Sequence, residues 1–168
     1  MPNDRGARAT GRAGTEPSPG VVERPYLLDV NVMIALAWPH HLHHSLAHRW
    51  FVARGRTAWA TCPLTQLAFI RISSNPAIIP DAVTPTEARA LLGRIVTLPG
   101  HRFCSETLAP IEASMLSALG VVGHRQVTDA YLLAVAHHHG AKLATLDRNV
   151  ATLIADPSAR PNLVEVIA

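Results

Sequence analysis

The stretch Tyr26-Leu27-Leu28-Asp29-Val30-Asn31 decides the fold. A short apolar run ends on a carboxylate with no hydrophobic alternation before it, the pattern of a strand buried on both faces that stops at a turn. Val32–Ala37 then reads as a helix ended by Pro39, and a second helix is expected from about Leu42 to Ala53. Thr57–Ala60 reads as a second strand, and Pro63 suits the first turn of a helix closing before Ser73-Ser74-Asn75-Pro76. Further on the pattern predicts an amphipathic helix over Thr86–Val96, a strand at His101–Phe103 and a helix over Ile111–Leu119 closed by Gly120. Thr128–His139 is apolar nearly all round, so it is a buried helix with Gly140 just past its end. Lys142–Thr145 is a strand, Val150–Ile154 a short helix and Leu163–Ile167 a last strand. Short apolar strands alternating with helices predict an α/β protein with a parallel sheet of about five strands, covered on both faces.

The chain has 168 residues, of which 48% are apolar and 16% charged, enough for a single core and too apolar for a disordered protein. No apolar run approaches the roughly 20 residues of a spanning helix, and the N-terminus has no apolar signal core, so a cytoplasmic location is expected. Cys62 and Cys104 are expected to be free buried thiols. Residues 1–24 carry Gly, Pro, Ala, Arg and Thr without periodicity and are expected to form a disordered tail, leaving 25–168 as one domain. Of the 15 basic residues all but Lys142 are arginine. Guanidinium groups favour phosphate contacts. With a net charge of only +3, compositional bias is the heavier reading.

Three carboxylates, Asp29, Asp129 and Asp147, stand where apolar runs meet turns, and Gln66 stands at a fourth such junction. In an open parallel sheet ligands bind outside the carboxyl ends of the strands, so several of these elements aim at one cleft. Clustered acids repel one another in a partly desolvated site unless a cation is bound, and Mg²⁺ or Mn²⁺ suits oxygen ligands. Each acid also has a bland role. Asp129 complements a helix N-terminus with Thr128 as its N-cap, and Asp147 caps the helix that follows. Asp29 has no such role. Asn31 either caps the next helix or bonds to a carboxylate. Arg125, just ahead of Asp129, is either a phosphate contact or a loop charge.

Leu28-Asp29-Val30-Asn31, Thr61-Cys62-Pro63-Leu64-Thr65-Gln66, Ser74-Asn75-Pro76, Val127 to Ala134 and Leu143-Ala144-Thr145-Leu146-Asp147 closely resemble PIN-domain ribonuclease toxins of the VapC family. The resemblance runs in order from about residue 26 to 167. It implies a PIN-like α/β/α sandwich, metal-dependent cleavage of RNA and one or two Mg²⁺ or Mn²⁺ ions in an acidic cleft. It implies Asp29, Asp129 and Asp147 as metal ligands, direct or through water, with Thr128 and Thr145 beside them. It also implies a VapB-like antitoxin, an RNA substrate such as tRNA or rRNA, and a homodimer. Gln66 departs from the pattern, because the family usually has Glu there. An amide keeps an acceptor oxygen but loses the charge, so weaker metal binding and loss of a general base are expected, with Glu87 or Glu106 as candidate substitutes in space. The alternative is a weak or inactive domain that still binds antitoxin or RNA. A DNA-directed nuclease fits less well, since the chain lacks the additional clamp of such enzymes.

Ten histidines need an account. His44 and His48 stand one helical turn apart, as a Zn²⁺ pair would, but no third ligand lies at ligand spacing, so exposed decoration is expected. His137-His138-His139 ends a helix, where cations suit the dipole. Trp38, Trp50 and Trp59 are expected in the core.

Overall fold

The structure, a computed structural model, describes residues 24–105, 108–110 and 119–168. The expected tail over residues 1–24 therefore lies outside the described residues apart from Arg24, and so do Glu106 and nearly all of the expected helix over Ile111–Leu119. Five strands form one all-parallel sheet: β1 (Tyr26–Leu28), β2 (Trp59–Thr61), β3 (His101–Phe103), β4 (Lys142–Thr145) and β5 (Val164–Val166), in the spatial order β3-β2-β1-β4-β5. The order reverses beside β1, so the crevice at the carboxyl ends of β1 and β4 lies at the switch point of the sheet.

Alternate strand residues enter two different cores. Leu27, Ala60 and Leu143 pack with Tyr131, Leu132, Leu133 and Val135 of α5 (Val127–His138) on one face. Leu28, Trp59 and Ala144 pack on the other with α1 (Val30–Ala37), α3 (Pro63–Ser73) and α4 (Pro85–Ile95). The period-2 alternation of a strand thus divides β1, β2 and β4 between two helical layers, as an α/β/α sandwich requires. Trp59 and Phe69 are fully buried and Trp50 nearly so, while Trp38 is half-buried and donates its indole N–H to Ser73 Oγ at 3.1 Å. Cys62 and Cys104 are free and buried. No helix among the described residues is long and apolar enough to cross a membrane.

Several boundaries differ from the sequence expectation. The second helix, α2 (His44–Trp50), widens into a π-turn over Phe51–Gly55 in place of one helix to Ala53. Gly55 fits there because a Cβ would come within 2.9 Å of the Trp50 ring. The strand expected at Thr57–Ala60 is shifted to Trp59–Thr61, and α5 begins at Val127, so Thr128 lies inside the helix and is not its N-cap. Two short helices, α6 (Asn149–Thr152) and α7 (Arg160–Leu163), flank the approach to β5, and the sequence pattern marks only the first. Gly100 has φ +84 and precedes β3, and its carbonyl accepts the Trp59 N–H at 3.0 Å.

His44 and His48 are more than decoration. One ring nitrogen of His44 lies 2.8 Å from the Ala35 carbonyl, and one of His48 lies 3.0 Å from that of Leu36. These carbonyls belong to the last turn of α1, where four C=O groups lack partners within the helix, so the two imidazoles cap it.

Candidate active site

Asp29 follows β1 directly, at the position that opens α1, and is only 6% exposed. Its Oδ2 accepts the Thr145 hydroxyl at 2.7 Å and the Asn31 amide at 2.7 Å. Asn31, in the first turn of α1, also donates to Thr145 Oγ1 at 3.0 Å, and its carbonyl accepts the Leu146 N–H at 3.1 Å. The Asp147 N–H donates to Thr145 Oγ1 at 3.1 Å. Thr145 at the end of β4 is therefore a fully engaged hydroxyl joining the two strand ends, and Asn31 takes the second of its two expected roles, bonding to a carboxylate. Burial pushes the Asp29 carboxyl above its ordinary range. Thr145 and the nearby Val30 and Asn31 N–H groups, which form no capping bond, oppose that, and the Asp147 charge adds to it.

Asp129 lies in the first turn of α5 and faces the same crevice. Burial raises its pKa from 3.8 to about 6, and the charges of Asp29 and Asp147 add to the rise. Asp129 thus feels the charge of two acids on other elements, and Asp29 feels that of Asp147. Asp147 also accepts the Asn149 N–H at 2.8 Å, a side-chain turn that leads into α6, whose N-cap position is Arg148 and not Asp147 as expected. Asp129, Asp147, Asn149, His124, Arg125 and Gln126 line an open cleft of about 600 Å³. Its rim is braced by Gln126, whose Oε1 accepts the N–H groups of Val122 at 2.9 Å and Gly123 at 3.2 Å. Arg125 is exposed at that rim, and Thr128, next to Asp129 in α5, is exposed as well.

Gln66 lies at the same end of the sheet but among different partners. Pro63 opens α3, and Thr65 closes a box with Cys62 by accepting its N–H at 3.1 Å and donating to its carbonyl at 3.1 Å. That fixes the first turn, and Gln66 then donates its amide to Thr61 Oγ1 at 2.9 Å. Thr61 Oγ1 lies 2.8 Å from His101 Nε2. The Thr61–Gln66 stretch gives Thr61 no role of its own and no motif or spacing marks His101, because their proximity comes from the β2–β3 register, in which Trp59 pairs with His101 and Thr61 with Phe103. Glu87 is occupied in the cap of α4, where it accepts the Thr84 N–H at 2.8 Å and the Thr84 hydroxyl at 2.7 Å.

The acids at the cleft, Asp29, Asp129 and Asp147, offer oxygen donors whose crowded charges a hard cation would relieve. Among the described residues no three His, Cys, Asp or Glu side chains close around a single point tightly enough to enclose a bare ion. The set fits a hydrated cation held partly through water, the habit of Mg²⁺.

Residues 26–154 match the family model described as the PIN domain. The chain is 42% identical over 127 residues to Ribonuclease VapC38 of Mycobacterium tuberculosis, covering 76% of this chain and 88% of the relative. It is 42% identical over 141 residues to Ribonuclease VapC39 of the same organism, covering 84% and 98%. To Ribonuclease VapC29, also of M. tuberculosis, it is 38% identical over 130 residues, covering 77% and 91%.

Proposed function

This chain belongs to the PIN-domain family, among the VapC ribonucleases, and on that premise we propose that it is a metal-dependent endoribonuclease, the toxin of a VapBC-type toxin–antitoxin pair. The observation that carries the reading is the convergence of three acids from separate elements, Asp29 at the end of β1, with Asp129 of α5 and Asp147 past the end of β4 lining one cleft. Asp29, Asp129 and Asp147 would hold Mg²⁺ or Mn²⁺, directly or through water. When bound, such an ion neutralises a phosphodiester and acidifies water.

The chain's own groups supply the rest. Thr145 and Asn31 hold the Asp29 carboxylate in one rotamer by two 2.7 Å bonds, so that its other oxygen is directed by them. Arg125 on the rim offers a guanidinium fork to a substrate phosphate, and Thr128 adds a hydroxyl beside Asp129. Gln66 contributes a neutral amide, which does not take up a proton as Glu would. Hydrolysis by an attacking water leaves the new end with a 5′-phosphate. The substrate class is structured RNA, tRNA or rRNA. A VapB-like antitoxin is the partner, and the toxin acts as a homodimer.

A second reading is a catalytically weak PIN domain that binds antitoxin or RNA. What favours it is Gln66, whose amide is committed to Thr61. The two are separated by incubating partner-free protein with tRNA and rRNA in Mg²⁺ or Mn²⁺, beside an Asp129→Asn control. Cutting that the control lacks supports the nuclease. No cutting in either metal supports the binding domain.

A further inference from the structure

Gln66 Nε2, Thr61 Oγ1 and His101 Nε2 lie in a row, with contacts of 2.9 Å and 2.8 Å. Thr61 is fully buried and carries a single proton, so the sense of each bond in the row is set by its ends. Gln66 donates to the Thr61 oxygen, and the only other partner that the described residues give this buried hydroxyl is His101 Nε2, so the Thr61 proton goes to that nitrogen and the hydrogen of a neutral ring sits on Nδ1. Burial pushes the imidazole below its ordinary value, outweighing the opposing pull of the Val96 backbone, and no charged side chain among the described residues holds a proton on it. Trp59 covers one side of it, with ring centroids 4.6 Å apart. In a neutral ring with Nδ1 protonated, Nε2 is an acceptor. Thr61 must then give its proton to His101 and receive one from position 66.

We propose that His101 is a positioning residue for Gln66: acting through the Thr61 hydroxyl, it turns position 66 into a donor site, so that an amide and not a carboxylate is the side chain this corner of the cleft accommodates. Gln66 is on this view matched to its neighbours, and its carbonyl oxygen is left to face away from Thr61. A Glu at 66 could only accept. It would compete with His101 for the one Thr61 proton, leaving a half-buried acceptor without its protein partner, at a cost set by how much water reaches it. The conflict is removed if His101 takes up a proton at Nε2 and donates to Thr61, which then donates to the carboxylate. Replacing Gln66 by Glu thus brings a proton to His101 together with the new negative charge. The consequence for catalysis rests on the nuclease reading, but the proton order itself does not.

Nitrogen–proton NMR of the full-length chain's imidazoles tests it without any cleavage assay. In the wild type at neutral pH, His101 is expected to be neutral with the proton on Nδ1. A proton on Nε2 of the neutral ring would overturn the proposal. In Gln66→Glu, the His101 pKa is expected to rise by about one unit or more, the scale of a new charge acting through hydrogen bonds. In Gln66→Glu with Thr61→Val most of that rise should vanish, and with Thr61→Ser it should persist. An unchanged His101 titration in Gln66→Glu, or a rise indifferent to Thr61→Val, would also overturn it. If the double variants fail to fold, the wild-type tautomer alone decides. A protein that cuts no RNA but shows this proton order would sink the nuclease reading and leave the inference intact.

Discussion

Thr145 donates its hydroxyl to Asp29 Oδ2 over 2.7 Å and so ties together the carboxyl ends of β1 and β4, in a bond between residues 116 positions apart. The acceptor is buried and charged, and its Oδ2 depends on this donor and on Asn31. Thr145→Val keeps the shape and removes the donor. We expect it to destabilise the fold by about 1–3 kcal/mol, the usual cost of stranding a buried acceptor, and Thr145→Ser to lose much less. Urea denaturation of the three proteins measures the difference. Equal midpoints for Val and Ser would mean that the methyl packing, not the hydroxyl, matters.

Asp129 makes metal-free stability fall as pH rises. Its folded-state pKa is raised from 3.8 to about 6, so the folded protein binds this proton more tightly than the unfolded chain does. The associated stability is present below the unfolded value and is lost as pH climbs through that window. Asp29 is shifted in the same direction and adds to the trend. Thermal melts in chelator between about pH 4 and pH 6.5 should show a falling midpoint, flatter in Asp129→Asn, and Mg²⁺ should recover part of the loss at the upper end. Cleavage has the opposite sign, because ligation needs the ionised acid, and should increase through about pH 6. A midpoint that climbs across the window in chelator would contradict the crowding of the three acids.

Much of this architecture is legible in the sequence because short strands buried on both faces, as in β1, β2 and most of β4, leave apolar runs that can be counted. Asp29 and Asp147 are legible because each stands just past such a run, and Asp129 because it stands where the apolar run of α5 begins. Helix ends can be read to within a few residues, and the expectation of Thr128 as a cap fails because the preceding turn over His124–Gln126 feeds directly into α5. What cannot be read is whatever depends on register. The His101–Thr61–Gln66 row joins a strand start, a strand end and a helix turn, with 40 residues between His101 and Thr61. The capping of α1 by His44 and His48 likewise requires the angle at which α2 returns. The π-turn at Phe51–Gly55 follows from the space beside Trp50 and has no periodic signature.

Arg125 should affect RNA binding and not folding. It is exposed on the rim of the cleft that Asp129 and Asp147 line, with no ion pair among the described residues. Arg125→Ala is expected to leave the melting midpoint within about 1 °C, as surface substitutions commonly do. In binding of single-stranded RNA with the inactive Asp129→Asn background, it should lower the slope of log affinity against log salt by about 0.7, the value for one phosphate that the protein no longer neutralises. An unchanged slope would assign Arg125 to the loop alone.

Gly100 and Gly93 should respond to alanine in opposite directions. A Cβ at Gly100, where φ is +84, would lie 2.4 Å from the Arg56 carbonyl oxygen and 2.8 Å from that of Thr57, both backbone atoms that cannot rotate aside. The left-handed conformation alone costs an L-residue about 1–2 kcal/mol, and the two contacts add to it. Gly100→Ala should therefore lose more than about 2 kcal/mol. Because the Gly100 carbonyl holds the Trp59 N–H where β3 joins β2, it should also disturb the His101 imidazole signals. Gly93 sits inside α4, and a Cβ there would meet nothing within 4 Å. Gly93→Ala removes only the flexibility of the unfolded chain and should stabilise by about 0.5–1 kcal/mol. Paired denaturation curves check both. A Gly100→Ala protein as stable as the wild type would show that the turn into β3 can relax, and would then leave the His101 register without its main restraint.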